Sequence, residues 1–177
     1  MSFHAHTPRQ LLVDELLAPA GDSPLDGRSL LARRLEVARE LLLRDLAKRM
    51  KTGPLLASPD AVREWLSLYY LGCERETFLA LFLDARHQLI HASELFQGTI
   101  DWAEVHPREV VREALRHNAA CVCVAHNHPS GNTDPSAADR ALTARLKQAL
   151  GLVDIRLLDH FVVAGNNFVS LAARGWV

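Results

Sequence analysis

The chain has 177 residues, 49% of them hydrophobic, and a formal net charge of −1, so it can build a core without disulfide bonds and has no overall attraction for nucleic acid. Nucleic-acid binding would need a local basic patch. The three cysteines have no framework spacing, and there is neither an export signal nor an apolar run of membrane length, which together predict a cytoplasmic protein.

The N-terminal part, residues 1–57, predicts an arm and a helix that precede a main domain at residues 58–177. Residues 1–27 contain many turn-forming residues and are interpreted as a loosely held arm. Apolar residues then recur every three or four positions from Arg28 to Lys51, which predicts an amphipathic helix. Basic and acidic side chains alternate on its polar side, a pattern that favours a solvated face over a nucleic-acid surface.

Helices and strands alternate in the main domain. Ser58 before Pro59 predicts a helix start, and the helix should run to Leu71. The apolar run from Thr77 to Leu83 is typical of a strand buried on both faces. This order predicts an α/β (α+β) fold around a mixed sheet. The elements expected after this strand are strands at 88–96 and 99–105, a helix from 107 that ends at Asn118, a strand at 119–125, a helix at 135–150, and strands at 155–158, 160–164 and 168–170.

The candidate metal-binding residues lie in and after the loop that follows the strand at 119–125. His126 and His128 follow this strand, and side chains two residues apart in extended backbone project to the same side. Asp134, followed by proline, predicts a helix start, which places Ser136 and Asp139 on one face of its first turns. Two imidazoles and one carboxylate are three zinc ligands that leave a fourth position for water, as in catalytic sites. We therefore predict one zinc ion per chain, with manganese, iron or cobalt as alternative metals for the same ligands.

The spacing His-x-His, seven residues, Ser, two residues, Asp resembles the JAMM motif of MPN-domain metalloproteases. Three segments, at 126–131, 106–110 and 157–160, are similar to the bacterial RadC-type branch of that family. The resemblance covers about residues 58–177. It implies an MPN/JAMM-like (cytidine-deaminase-like) fold, a mixed β-sheet flanked by helices, in which the two histidines and the aspartate hold zinc.

The same resemblance implies further catalytic roles. In this family an upstream glutamate acts as general base, and the serine of the motif helps to stabilise the tetrahedral oxyanion. The serine is Ser136. The glutamate should lie at the head of the first sheet strand, which is the place of Glu76. Glu94 is the alternative, and Glu109 is interpreted as an acid in the first turn of a helix.

The chain also departs from the wider family pattern. Asn127 stands where JAMM deubiquitinases carry serine or threonine, which does not support a ubiquitin-like substrate. Residues 1–57 lack the helix-hairpin-helix signature of larger RadC-type proteins. His160 is either a buried core histidine or a residue that orients a ligand or the substrate. Cys121 and Cys123 alternate with valines, which is typical of thiols buried in a strand.

These observations favour a zinc-dependent hydrolase that cleaves peptide or isopeptide bonds in an unidentified peptide or protein substrate. Two alternatives stay open. A metal-dependent nuclease, or a DNA-repair-associated protein, would treat residues 126–128 as a His-Asn-His motif, although such nucleases spread their histidines further along the chain. A non-catalytic MPN-type scaffold would keep the fold, although such relatives typically lose the metal ligands. The oligomeric state is open.

Overall fold

The computed structural model divides the chain into two compact units, Met1–Lys48 and Arg49–Val177. The predicted domain boundary between residues 57 and 58 falls outside the residues that the structure describes and stays a prediction. The helix start predicted at Ser58 and nearly all of the strand expected at 99–105 also fall outside the described residues. The residues described are 7–19, 25, 27–53, 59–98 and 105–177.

The first unit contains helix α1 (Arg9–Leu17) and most of helix α2 (Gly27–Thr52). Leu12 of α1 and Val37 of α2 are fully buried in a shared apolar cluster. Arg33 of α2 pairs with Glu15 of α1, with Nε 2.5 Å from Oε1. The interpretation of residues 1–27 as a loose arm is therefore wrong for α1, because this helix buries an apolar side chain against α2.

The described residues of the second unit form a five-stranded mixed sheet in the order β2-β1-β3-β4-β5. β3 and β4 are parallel, and the other neighbouring pairs are antiparallel. This mixed sheet, with flanking helices and with further helices that precede it in the chain, confirms the predicted fold class. The elements are α3 (Pro59–Tyr70), β1 (Thr77–Leu83), β2 (Leu89–Gln97), α4 (Pro107–Arg116), β3 (Cys121–Asn127), α5 (Ala137–Gly151), β4 (Arg156–Ala164) and β5 (Asn167–Ser170).

The core of the second unit lies between the sheet and the helices α4 and α5. Val122 and Val124 of β3 pack there with alternate residues of β1 and with the apolar sides of both helices. Because side chains alternate along a strand, His126 continues this inward-facing row. The row ends where the candidate site begins. The other members of this core include Phe78, Ala80, Phe82, Val110, Ala114, Leu146 and Leu150.

Two predicted boundaries are wrong for a physical reason. Helix α5 is capped by Ser136, not by Asp134, because the Ser136 side chain accepts a hydrogen bond from the backbone N–H of Asp139 and the Asp139 side chain accepts one from Ser136. The strands expected at 155–158 and 160–164 are one strand, β4. The polar Asp159 between them stays in the strand because its buried carboxylate accepts several hydrogen bonds.

Two further features complete the fold. Helix α4 has His117 as its C-cap, and the expected cap residue Asn118 follows it with a φ of 49°, a conformation that asparagine tolerates. No helix in the described part of the chain combines the length and the apolar character that crossing a membrane requires.

Candidate metal centre

The candidate site lies where β3 ends and α5 begins. His126 is in β3, His128 directly follows it, and their Nε2 atoms are 2.9 Å apart. Asp139, in the first turn of α5, places Oδ1 3.2 Å from Nε2 of His126 and Oδ2 3.7 Å from Nε2 of His128. These three side chains form a group that could hold a metal ion, and no second such group is found among the described residues.

Local structure brings these side chains together. The backbone N–H of His128 donates to the carbonyl of Val163 in β4 at 2.8 Å, which keeps the chain extended beyond the end of β3. The chain then reverses through Gly131, whose φ of 85° suits glycine. The capping box at the start of α5 ties the Asp139 carboxylate to Ser136. The three candidate ligands therefore come from a strand end and a helix start, as the spacing predicted.

The atoms that meet here suit zinc. Nδ1 of His128 lies 2.7 Å from the carbonyl oxygen of Asn132, which can only accept, so Nδ1 carries a hydrogen, and in the neutral imidazole that binds metals Nε2 then presents a lone pair. A lone pair and a carboxylate so close together repel each other unless a cation lies between them. Zinc–nitrogen bonds of about 2.0–2.1 Å put tetrahedral ligands roughly 3.3 Å apart. The two separations from Nε2 of His126, 2.9 Å to Nε2 of His128 and 3.2 Å to Oδ1 of Asp139, lie close to that value.

The charges at the site follow from burial and hydrogen bonding. Burial acts to raise the pKa of Asp139, but the neighbouring imidazoles of His126 and His128 outweigh it and hold that pKa well below its usual range. The nearby Asp139 carboxylate raises the pKa of His128, against the effect of burial. Burial, with the nearby His126, lowers the pKa of His160 to about 3. At neutral pH the site therefore contains an ionised carboxylate beside a neutral His160.

His160 lies behind His126. It is fully buried in β4, and its Nε2 is 2.8 Å from Nδ1 of His126. Its Nδ1 is 2.7 Å from the hydroxyl of Thr143 in α5. The sequence left the role of His160 open and did not single out Thr143. The signal for Thr143 was its place one helical turn after Asp139, on the same face of α5.

The hydroxyl of Ser136 is held by Asp139. It donates to Oδ2 at 2.7 Å and accepts from the Asp139 N–H at 3.1 Å. Because the backbone N–H of Ser136 also donates to Oδ2, at 2.7 Å, Oδ1 is the carboxylate oxygen with the greater capacity left for a metal. Ser136 therefore orients the predicted ligand and caps the helix. Its role as an oxyanion partner stays a prediction.

Glu76 immediately precedes β1, at the same end of the sheet as the histidines. Phe78 pairs with His126 across β1 and β3, so continued antiparallel register places Glu76 opposite His128. The Asn127 side chain holds the backbone on both sides of Glu76: Oδ1 accepts from the N–H of Thr77 at 2.8 Å, and Nδ2 donates to the carbonyl of Arg75 at 3.0 Å. Sequence reasoning had used Asn127 only as a family marker.

The other predicted acids lie elsewhere. Glu94 pairs with Leu79 in the β1–β2 ladder, and its carboxylate accepts a hydrogen bond from the Tyr69 hydroxyl of α3 at 3.0 Å. Glu109 is in the first turn of α4, as expected, and pairs with Arg112 at 2.6 Å. Both carboxylates therefore have partners outside the histidine pair. The thiols of Cys121 and Cys123 are buried and unbonded to each other.

This combination of a mixed sheet, a His-x-His sequence at a strand end and an aspartate at the next helix start is that of a JAB-type domain. The family model described as RadC-like JAB domain matches residues 56–176. The chain therefore belongs to the RadC-like JAB domain family, which confirms the predicted resemblance.

Relatives with the name UPF0758 protein align with most of the chain. That of Xanthomonas campestris pv. campestris is 53% identical over 174 residues, which cover 98% of this chain and 77% of the relative. That of Halorhodospira halophila is 56% identical over 142 residues, 80% of this chain and 63% of the relative. That of Cellvibrio japonicus is 54% identical over 144 residues, 81% and 64% of the two chains. The names of these relatives state no activity.

Proposed function

We propose that this protein is a zinc-dependent hydrolase that cleaves peptide or isopeptide bonds. The observation that carries the proposal is the convergence of Nε2 of His126, Nε2 of His128 and the Asp139 carboxylate in a group that could hold one metal ion. Zinc held by these residues would lower the pKa of water and polarise a carbonyl group. Three protein ligands, rather than four, favour a catalytic over a structural site.

Glu76 is the proposed general base. Its position opposite His128 supports this role, and its side chain is exposed, so it is accessible to water and to a substrate. The carboxylate would take a proton from the attacking water and deliver it to the leaving amine. Glu94 is a weaker candidate because the Tyr69 hydroxyl already binds its carboxylate.

Ser136 is proposed to stabilise the oxyanion. The side chain is exposed next to Asp139, and its hydroxyl needs only to rotate away from Oδ2 to donate to a substrate oxygen. A hydroxyl that donates to a developing negative charge contributes more in the transition state than in the ground state.

A peptide or protein substrate is favoured over nucleic acid. On α4, Arg112 pairs with Glu109 and Arg116 with Glu113, so these guanidinium groups are balanced locally. The nuclease and scaffold alternatives have no specific observation in their favour, and the experiment below separates them. The proposed location is a reducing cytoplasm, which suits the buried thiols of Cys121 and Cys123 because they form no disulfide with each other.

The test combines metal analysis with turnover of mixed peptide and isopeptide substrates. We expect about one zinc per wild-type chain, and its loss in His128→Ala and Asp139→Ala. Glu76→Gln should keep zinc but lose about 100-fold or more of the turnover, because the base is gone. Glu94→Gln is the matched control and should keep both.

Each alternative gives a different result. Full zinc content in both ligand variants would contradict the metal centre. Plasmid nicking that depends on Asp139 would indicate a nuclease. A full complement of zinc without turnover of any substrate would indicate a scaffold.

A further inference from the structure

We propose that Thr143 and His160 are positioning residues that hold His126 in the one tautomer able to bind a metal through Nε2. This inference rests on the proposed metal centre. It concerns a chain of hydrogen bonds behind the proposed ligands. This chain starts at the backbone carbonyl of Asp139 and ends at the side chain of His126.

The first link is the hydroxyl of Thr143. Oγ1 lies 2.6 Å from the carbonyl oxygen of Asp139, one turn earlier in α5. A carbonyl can only accept, so the single hydroxyl hydrogen is donated there. Oγ1 also lies 2.7 Å from Nδ1 of His160. With its hydrogen already engaged, the hydroxyl accepts at this contact, and Nδ1 of His160 carries the hydrogen.

The second link is the ring of His160. The ring is fully buried, and Phe78 packs against it edge-on, with ring centroids 5.8 Å apart. Among the described residues, the hydrogen-bond partners of the ring are a hydroxyl and an imidazole and not a carboxylate, so burial favours the neutral form. A neutral imidazole with its hydrogen on Nδ1 has an acceptor at Nε2.

The last link determines the state of His126. Nε2 of His160 is 2.8 Å from Nδ1 of His126, so Nδ1 of His126 must carry a hydrogen. Its Nε2 then presents a lone pair towards Asp139, 3.2 Å away. In the other tautomer, the hydrogen of His126 would be on Nε2. It would then point into the metal centre and block metal binding.

The two histidines thus reach the same tautomer by different means. His128 is half-buried and uses the backbone carbonyl of Asn132. His126 is buried among side chains and depends on Thr143 and His160. Outer partners of this kind determine the tautomer and orientation of ligand histidines. Since every member of the chain is buried, loss of one hydrogen-bonding group leaves the next without a partner.

The matched test variants are Thr143→Val, which keeps the shape but removes the hydroxyl, and Thr143→Ser, which restores it. Long-range ¹H–¹⁵N spectra of metal-free, ¹⁵N-histidine-labelled protein report the tautomer of each ring directly. We expect Nδ1–H for His126 in the wild type and in Thr143→Ser. In Thr143→Val we expect a mixture, or Nε2–H.

Zinc affinity, measured by competition with a chromophoric chelator, gives the second readout. Thr143→Val should bind zinc about 10-fold more weakly or worse, and Thr143→Ser within about 3-fold of the wild type. His160→Leu should lose affinity in the same way. His160→Gln should recover part of it, because the amide oxygen can accept from Nδ1 of His126. Circular dichroism of each variant first establishes that it is folded.

The outcomes separate this inference from the metal centre itself. If wild-type protein binds zinc but Thr143→Val keeps both the wild-type tautomer and the wild-type affinity, the inference is overturned and the metal centre stands. If neither wild-type protein nor Thr143→Ser binds zinc, the proposed centre fails and this inference fails with it. A loss of affinity in Thr143→Val, reversed by serine, supports both.

Discussion

Asn127 lies between the two histidines in the chain, yet its side chain binds the strand next to them. It accepts from the N–H of Thr77 and donates to the carbonyl of Arg75, and it is almost completely buried. A primary amide offers a donor and an acceptor on one short side chain, whereas a hydroxyl carries a single hydrogen. Asn127 therefore holds the backbone of Glu76 in place beside His128, which links the proposed base to the proposed ligands.

This arrangement predicts the behaviour of Asn127→Ala. The variant leaves the N–H of Thr77 and the carbonyl of Arg75 without their partner, which should lower the free energy of unfolding by about 1–3 kcal/mol. Turnover should fall because Glu76 is no longer held, while zinc content stays at the wild-type level.

Urea denaturation, turnover and metal analysis check the three effects. The control is Asn167→Ala, which changes an exposed residue of β5 and should leave all three unchanged. Wild-type turnover in Asn127→Ala would show that Glu76 does not depend on this amide.

At the scale of elements, α1 depends on contact with α2 for its stability. A helix of 9 residues is too short to be stable alone in water. Its fully buried Leu12 packs with Val37 of α2, whereas Leu11 is 57% exposed. The sequence did not predict α1, because the turn-forming residues after it dominated the local pattern.

Adjacent leucines give a matched pair for this helix. Leu12→Ala should destabilise the α1–α2 pair by about 2 kcal/mol or more, because it leaves a cavity between the helices. Leu11→Ala should change stability little. Hydrogen exchange at the amides of α1 measures the difference, and equal protection in the two variants would contradict the packing described.

Strands and helices were predictable to different degrees. β1 follows from its continuous apolar run, and α2 from its period, because both signals are local. The start of α5 was misplaced at Asp134, since proline after an acid is a common helix start, and the reciprocal hydrogen bonds of Ser136 and Asp139 appear only once the helix forms. β4 was divided at Asp159 because the sequence does not show which partners will satisfy a buried carboxylate.

At the scale of the whole molecule, a metal ion would join two parts of the second unit that are consecutive in the chain but belong to different layers. His126 and His128 belong to the end of β3 in the sheet, and Asp139 to the first turn of α5, which packs on it. A ligand that binds only the folded state stabilises it by mass action. Zinc binding at the proposed centre would therefore be coupled to global stability.

This coupling predicts a metal-dependent thermal unfolding curve. Free zinc at about 100 times its dissociation constant should stabilise the wild type by about 2.7 kcal/mol, and a strong chelator should remove this gain. His128→Ala should have the same melting temperature with and without zinc. Scanning calorimetry at fixed protein concentration checks both, and an equal zinc response in the variant would contradict the assigned ligands.

The sequence by itself determined the family, the mixed-sheet fold class and the three candidate ligands. Their spacing is short, and a strand, a turn and a helix start carry it without help from distant residues. Only the tertiary structure decided which groups stand behind the ligands. His160 is 34 residues from His126 and meets it because the parallel crossover places β4 beside β3. Hydrogen-bond partners across strands depend on register and on burial, and neither is encoded in a local pattern.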